Sequence, residues 1–260
     1  MEGFNLNEKP LQGKIALVTG SYRNLGAVTA ETLASYGASV VINDLDQPEL
    51  VGLGNQVLER IRAFGVQAAA IPADISRSDQ VRELCQNAIK TFGKVDILVN
   101  NAGPFSMDPY VTMEEEIFDR VMDVNLKAIY LTAQEIVPVM KASGWGRIVS
   151  MSAGSAYVRN HSVYGLAKFG VQFITEELAL EVGPEVTVNA VAPGQIYESL
   201  PDIAEFDPTF GERYTARSPL KTLVTRKDVA TLIANLCTPA FDRITGVTIK
   251  IDAGAEIWRF

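Results

Sequence analysis

Residues Lys14 to Gly26 read KIALVTGSYRNLG, and the assignment of the fold starts from them. Lys14 to Thr19 is a short aliphatic run of strand type, Gly20 and Gly26 bound a tight turn, and the chain from Leu25 onward carries a helical period. A glycine-bearing turn between a strand and a helix lets main chain approach a pyrophosphate, whose charge then rests on the amides of the helix N-terminus. Asn24 lies inside the turn, and Asn is the non-glycine residue that best tolerates positive φ. Asp44 follows 18 residues after Gly26, at the end of the next aliphatic run, where a carboxylate that binds a ribose diol belongs. Asp46 is its nearest competitor.

The same unit repeats outward from this turn. Lys14 to Thr19, Ser39 to Asn43, Gln67 to Ile71, Val95 to Asn100, Arg147 to Met151, Val186 to Val191 and Val247 to Ile251 read as seven strands, most of them apolar on both faces. Between them, Leu25 to Tyr36, Leu50 to Phe64, Asp79 to Phe92, Glu114 to Lys141, Ser162 to Val182 and Lys227 to Cys237 have helical patterns. Gly37, Gly65 and Gly93 sit where helix C-caps belong. Alternating βα units predict an α/β fold: a single-domain, Rossmann-type, doubly wound parallel sheet of about seven strands with helices on both faces, spanning 1–260. Gln195 to Ser218 breaks the rhythm, with Tyr197, Phe206, Phe210 and Tyr214 set among Asp202, Glu205, Asp207 and Glu212. A segment this long reads as a substrate lid; the alternative is a surface excursion with aromatics packed under it.

Composition narrows the chemistry. With 260 residues, 47% hydrophobic and 21% charged, the chain can bury a full core. Its net charge of −8 offers no basic field, so nucleic acid is not an expected partner. Met1 to Asn7 has no cationic start, and no apolar run reaches the ~18 residues of a membrane span, so the expected location is cytoplasmic, away from membranes. Cys85 and Cys237 lie far apart in apolar helical patterns and read as core thiols; His161 is the one imidazole. Paired-cysteine redox chemistry and a multi-histidine metal site are thereby excluded, and proton transfer falls mainly to Tyr, Lys, Asp, Glu or Ser.

Tyr164 and Lys168 lie four apart in a helical pattern, hence on one face. A tyrosine with a pKa of about 10 is a poor acid or base near neutrality, and a neighbouring cation lowers that value. Alone, this pair is common on helix surfaces, but its companions are informative. TGSYRNLG (Thr19 to Gly26) resembles the TGxxxGxG turn of the classical short-chain dehydrogenase/reductases, with Asn24 at the middle glycine. Asn100 to Gly103 (NNAG) resembles the end of that family's fourth strand, Asp74 and Ile75 its adenine-contacting pair, and Asn125 its structural and catalytic asparagine. Pro193 and Gly194 resemble its turn beside the nicotinamide, while Thr245, Gly246 and Asp252 resemble its C-terminal signature. The resemblance covers about Gly13 to Gly254.

The resemblance implies an oxidoreductase that interconverts a secondary alcohol and a ketone by hydride transfer, with Tyr164 as general acid/base. Lys168 would lower the phenol pKa and bond the nicotinamide ribose, Asn125 would hold a proton-relaying water, and Ser152 would hydrogen-bond the substrate oxygen. Ser150 competes with Ser152, because Met151 occupies the usual serine spacing before Tyr164. Cofactor contacts are implied for Gly20, Arg23, Asn24, Leu25, Gly26, Asp44, Asp74, Ile75, Asn101, Ala102, Gly103, Tyr164, Lys168, Pro193, Gly194 and Ile196. Ala153, His161, Gln195 and Tyr197 are expected to line the substrate cleft. Glu198 departs from the threonine the family usually has there.

NAD(H) is the expected cofactor. Asp44 would repel a 2′-phosphate by about 4 kcal/mol per unit charge at 4 Å in an effective dielectric of 20. Arg23 pulls towards NADP(H), which stays open, as does an NADPH-dependent 3-oxoacyl reductase-like activity. Two further readings are a cofactor-sensing binding protein without turnover and an epimerase or dehydratase. The long helical patterns from Glu114 and Ser162 exceed what one sheet covers, and the resemblance implies that these helices pair between subunits, so a homotetramer or dimer is expected, with the tail Ala255 to Phe260 at a subunit contact or closing a neighbour's cleft.

Overall fold

The computed structural model describes residues 9–157, 161–205 and 207–257. Met1 to Asn7, Phe206 of the lid, and Trp258 and Phe260 of the tail lie outside the described residues. Seven strands form one parallel sheet: β1 (Ile15–Val18), β2 (Ser39–Ile42), β3 (Ala68–Ala70), β4 (Ile97–Asn100), β5 (Gly146–Met151), β6 (Val186–Pro193) and β7 (Thr248–Ile251). Their spatial order is β3-β2-β1-β4-β5-β6-β7. The chain leaves β1 in one direction and returns to its other side at β4, so a crevice opens at the carboxyl ends of these two strands.

The alternation of side chains along each strand divides the core in two. Ala16, Val18, Val40, Ile42, Ile97 and Val99 pack on one face with Leu33, Val57, Ile61 and Ile233. Leu17, Val41, Leu98 and Ile148 pack on the other with Leu84, Cys85, Ile136 and Met140. The first layer comes from α1 (Asn24–Ser35), α2 (Pro48–Arg62) and α10 (Arg226–Leu236); the second includes α3 (Ser78–Phe92) and α5 (Ala128–Ala142). Burying one such Leu or Ile contributes roughly 1.5–3 kcal/mol before chain entropy is counted. Gly93 has φ +78° as the C-cap of α3, and Gly37 and Gly65 have φ +102° and +79° just past α1 and α2.

Two departures from the sequence pattern bear on the site. The span expected as one helix from Glu114 is divided into α4 (Glu115–Met122), a π turn (Asp123–Lys127) and α5. A π turn inserts a residue into the helical ladder and is invisible to a 3.6-residue period. The lid carries structure of its own: a 3₁₀ turn (Tyr197–Ser199), α8 (Leu200–Ala204) and α9 (Phe210–Arg217). Between β5 and the lid lie α6 (Gly154–Tyr157) and α7 (Val163–Val182), the latter capped by the Ser162 hydroxyl accepting from the Gly165 amide.

Candidate active site

The turn after β1 is locked to the end of β4. The Thr19 hydroxyl accepts from the amides of Asn101 (3.0 Å) and Ala102 (3.2 Å), and the Asn101 side chain donates to the carbonyls of Thr19 and Gly20 at 2.9 Å each. A Cβ on Gly26 would overlap the Gly20 carbonyl, and one on Gly20 would lie 2.8 Å from the Cβ of Ala102. Both glycines are therefore required for α1 to start this close to the sheet. Asn24 has φ +52°, the left-handed conformation its side chain tolerates. Arg23 is exposed beside it and Leu25 is half-buried.

Asp44 is half-buried beyond the end of β2, with Oδ1 accepting from the Leu45 amide at 3.0 Å. Next to it lies a residue the sequence did not single out. Tyr22 is buried, its ring covers Gly54 of α2, and its phenol is pushed up to about 12 by burial first, then by Asp44 and Asp46. The Asn43 side chain donates to the carbonyls of Ile71 (3.0 Å) and Ala73 (3.2 Å), which fixes the chain leading to Asp74 and Ile75. Asp74 accepts from the amide and hydroxyl of Ser76, and Ile75 is buried.

Across the crevice, Lys168 and Asn125 meet around Gly103. A Cβ on Gly103 would overlap the Asn125 Oδ1 and lie 3.1 Å from the Lys168 Nζ. The π turn holds Asn125, whose Nδ2 donates to the carbonyls of Pro104 (3.0 Å) and Val121 (2.9 Å), while its Oδ1 is buried without a partner. Lys168 is buried, donates from Nζ to the Met151 carbonyl at 2.6 Å, and lies 5.5 Å from the centroid of the Tyr164 ring.

The electrostatics differ from the expectation that Lys168 lowers the phenol pKa. Burial pushes Tyr164 up to about 12 and pulls Lys168 down to about 7. Desolvation penalises the charged form of both groups and is the cause of both shifts. Phe105, directly after Asn100–Pro104, packs its ring edge-on against Tyr164 with centroids 5.0 Å apart. Its place after a strand-end motif was the only signal for it in the sequence.

Ser152 lies beside these groups, but its hydroxyl donates to the main-chain carbonyl of Lys168 at 2.9 Å. Its single proton is thus engaged, and what it presents in this arrangement is lone pairs. Ser150 is bonded by the Asn100 side chain, which also accepts from Thr132. Ala153 follows Ser152 and is buried. His161 is exposed just before the N-cap of α7.

Beyond β6, the Gly194 amide donates to the Ile251 carbonyl at 2.9 Å and the Gln195 amide donates to the Tyr214 hydroxyl at 3.1 Å. Ile196 bridges Val224, and Tyr197 is exposed. Glu198, the departure from the family pattern, accepts from the Arg226 amide at the start of α10, beside the capping box of Thr225 and Asp228. A cavity of about 890 Å³ lies within the lid, bounded by residues including Tyr197, Leu200, Ile203, Phe210 and Leu223. Among the described residues, no helix is long and apolar enough to cross a membrane.

The family model described as enoyl-(acyl carrier protein) reductase matches residues 20–256. A short-chain dehydrogenase/reductase of Pestalotiopsis microspora is 34% identical over 94% of this chain and 96% of its own length. A tropinone reductase homologue of Arabidopsis thaliana is 36% identical over 95% of this chain and 94% of its own. Among solved structures, a blue fluorescent protein from a metagenomic library in complex with NADPH superposes with a TM-score of 0.83 at 30% identity, covering 95% of this chain and 99% of that one. With this coverage at both ends of the comparison, the chain belongs to the short-chain dehydrogenase/reductase family of oxidoreductases.

Proposed function

We propose that the chain interconverts a small-molecule secondary alcohol and a ketone, with a nicotinamide dinucleotide bound across the crevice above β1 and β4. The observation that carries this reading is the convergence of Lys168, from α7, and Asn125, from the π turn, on Gly103 after β4, with the Tyr164 ring centroid 5.5 Å from the Lys168 Nζ. The residues fit the cofactor: the Gly20–Gly26 turn brings the N-terminus of α1 to the sheet, the partnerless Asn125 Oδ1 is a buried acceptor, and the buried Lys168 Nζ, which gives one hydrogen bond to Met151, has further donor capacity. Gly20, Arg23, Asn24, Leu25 and Gly26 would hold the pyrophosphate; Asp44 the adenosine ribose; Asp74 and Ile75 the adenine; Asn101, Ala102, Gly103, Lys168, Pro193, Gly194 and Ile196 the nicotinamide half. The bound cofactor supplies or accepts the hydride.

The protein's own part is the proton. Tyr164 gives one to the carbonyl oxygen in reduction, or takes one from the alcohol in oxidation. Burial pushes the phenol up to about 12, so at neutral pH it carries the proton that it gives in reduction. Ser152 contacts the substrate oxygen after its hydroxyl turns from the Lys168 carbonyl, with Ala153, His161, Gln195 and Tyr197 lining the cleft. The chain acts as one domain, Gln195 to Ser218 being its lid.

Two observations bear on the remaining choices. Asp44 is half-buried whereas Arg23 is exposed and screened, which favours NAD(H) over NADP(H). The NADPH bound by the metagenomic relative favours the second reading, in which Arg23 meets the 2′-phosphate. Turnover of a panel of ketones with NADH and NADPH decides it: a kcat/KM at least tenfold higher with NADH supports Asp44, and a strong NADPH preference overturns it. Leu166, Phe169, Phe173 and Leu180 form an exposed apolar stripe along α7, which supports assembly as a homo-oligomer, a tetramer or dimer.

A further inference from the structure

We infer that Tyr214 is a positioning residue: its hydroxyl, braced by the buried carboxyl of Glu256, fixes the main chain just after the Pro193–Gly194 turn and seats the lid helix α9 against the site. The inference rests on the functional reading above, which makes that turn the floor of the nicotinamide half. One hydroxyl joins three distant segments. It accepts from the Gln195 amide at 3.1 Å, donates to the Glu256 Oε1 at 3.2 Å, and lies where a Cβ on Gly194 would be. Gly194 is thus the residue that admits it.

Glu256 makes the arrangement specific. The residue is 7% exposed, its amide donates to the Asp252 carboxylate at 3.0 Å, and a Cβ on Gly154 would overlap both of its carboxyl oxygens. The post-β5 segment that carries Ser152 and the C-terminal turn therefore press on the same carboxyl group. Its Oε2 has no hydrogen-bond partner, an arrangement that is costly for a charged carboxylate and far less so for a protonated one. Burial raises its pKa, and so does neighbouring Asp252; Tyr214, Lys250 on β7 and Arg217 on α9 lower it. Tyr157 of α6 lies within the influence of the same group. A protonated Glu256 still accepts from Tyr214 through its carbonyl oxygen, so the clasp needs an acceptor there and no negative charge.

Removing the hydroxyl leaves the ring packed on Phe210, 5.6 Å away, so Tyr214→Phe isolates the clasp from the lid's packing. Hydrogen exchange on the full chain at one pH should show the Gln195 amide exchanging at least tenfold faster in Tyr214→Phe and in Glu256→Leu. Glu256→Gln, which keeps the acceptor without the charge, should retain most of the protection. In Tyr214→Phe the KM for cofactor and ketone should rise at least fivefold while kcat changes less than twofold. Unchanged exchange at Gln195 in Tyr214→Phe, loss of protection in Glu256→Gln as large as in Glu256→Leu, or a fall in kcat with KM unmoved would overturn the inference. A parent chain that turns over no ketone or alcohol would count against the functional reading alone, because the exchange comparison decides the clasp without turnover.

Discussion

Lys168 is buried and Tyr164 half-buried, and desolvation disfavours the charged form of each, pushing the phenol up to about 12 and the amine down to about 7. The lysine has a measurable consequence for stability. Its ordinary value is 10.5, so between pH 7 and that value the unfolded chain binds a proton that the folded chain has given up. Stability contributed by this group therefore rises with pH across that window, by at most about 1.4 kcal/mol per pH unit. Between pH 7 and 8.5 the urea midpoint should rise more in the parent chain than in Lys168→Met, a comparison in which the contribution of Cys85 and Cys237 cancels; equal changes would contradict this account. Asn24 makes a second prediction at this scale. At φ +52° a Cβ-bearing residue without a short polar side chain is strained, so Asn24→Ala should cost roughly 1–2 kcal/mol, whereas Asn24→Gly should not; denaturant titration of the two variants checks it.

At the scale of elements, the strands and their helices were legible because a buried parallel sheet demands apolar runs and each helix must keep one apolar face. Gly26 and Asp44 fall where their spacing put them, Gly26 against the Gly20 carbonyl and Asp44 just beyond β2, since a strand, a turn and a helix fix those positions. What escaped were contacts between segments far apart in the chain. Neither the turn of the Ser152 hydroxyl to Lys168, 16 residues on, nor the meeting of Tyr214 with Glu256 over 42 residues leaves a local pattern. The π turn at Asn125 escaped for a different reason: five residues of altered register do not disturb an apolar periodicity read over 28. Glu198 looked like a lost threonine, and the structure gives it work as an acceptor for the Arg226 amide at the start of α10. Glu198→Ala should lower the stability of the fold by about 1 kcal/mol, read as a drop in melting temperature. An unchanged melt would show that the Thr225 capping box suffices by itself.

For the whole molecule, the crevice at the β1–β4 boundary is assembled from the turn after β1, the end of β4, the π turn, α7 and the chain beyond β6, and none of these alone makes a site. The faces left over point outward. On α7, Phe173 is 63% exposed and Leu180 81%, apolar surface that the proposed assembly would cover. Light scattering on the eluted protein should give a dimer or tetramer, and Phe169→Asp with Phe173→Asp should shift it to monomer; a monomeric parent chain would remove the proposed assembly. The central claim is that Tyr164 moves the proton while a nicotinamide cofactor moves the hydride. It is tested most directly by following the reduced-nicotinamide absorbance with NADH and a ketone panel, for the parent chain and for Tyr164→Phe, alongside a fluorescence titration of cofactor binding. The account predicts turnover in the parent chain, at least ~100-fold slower turnover in the variant, and cofactor affinity nearly unchanged between them; a Tyr164→Phe variant that turns over at the parental rate would contradict it.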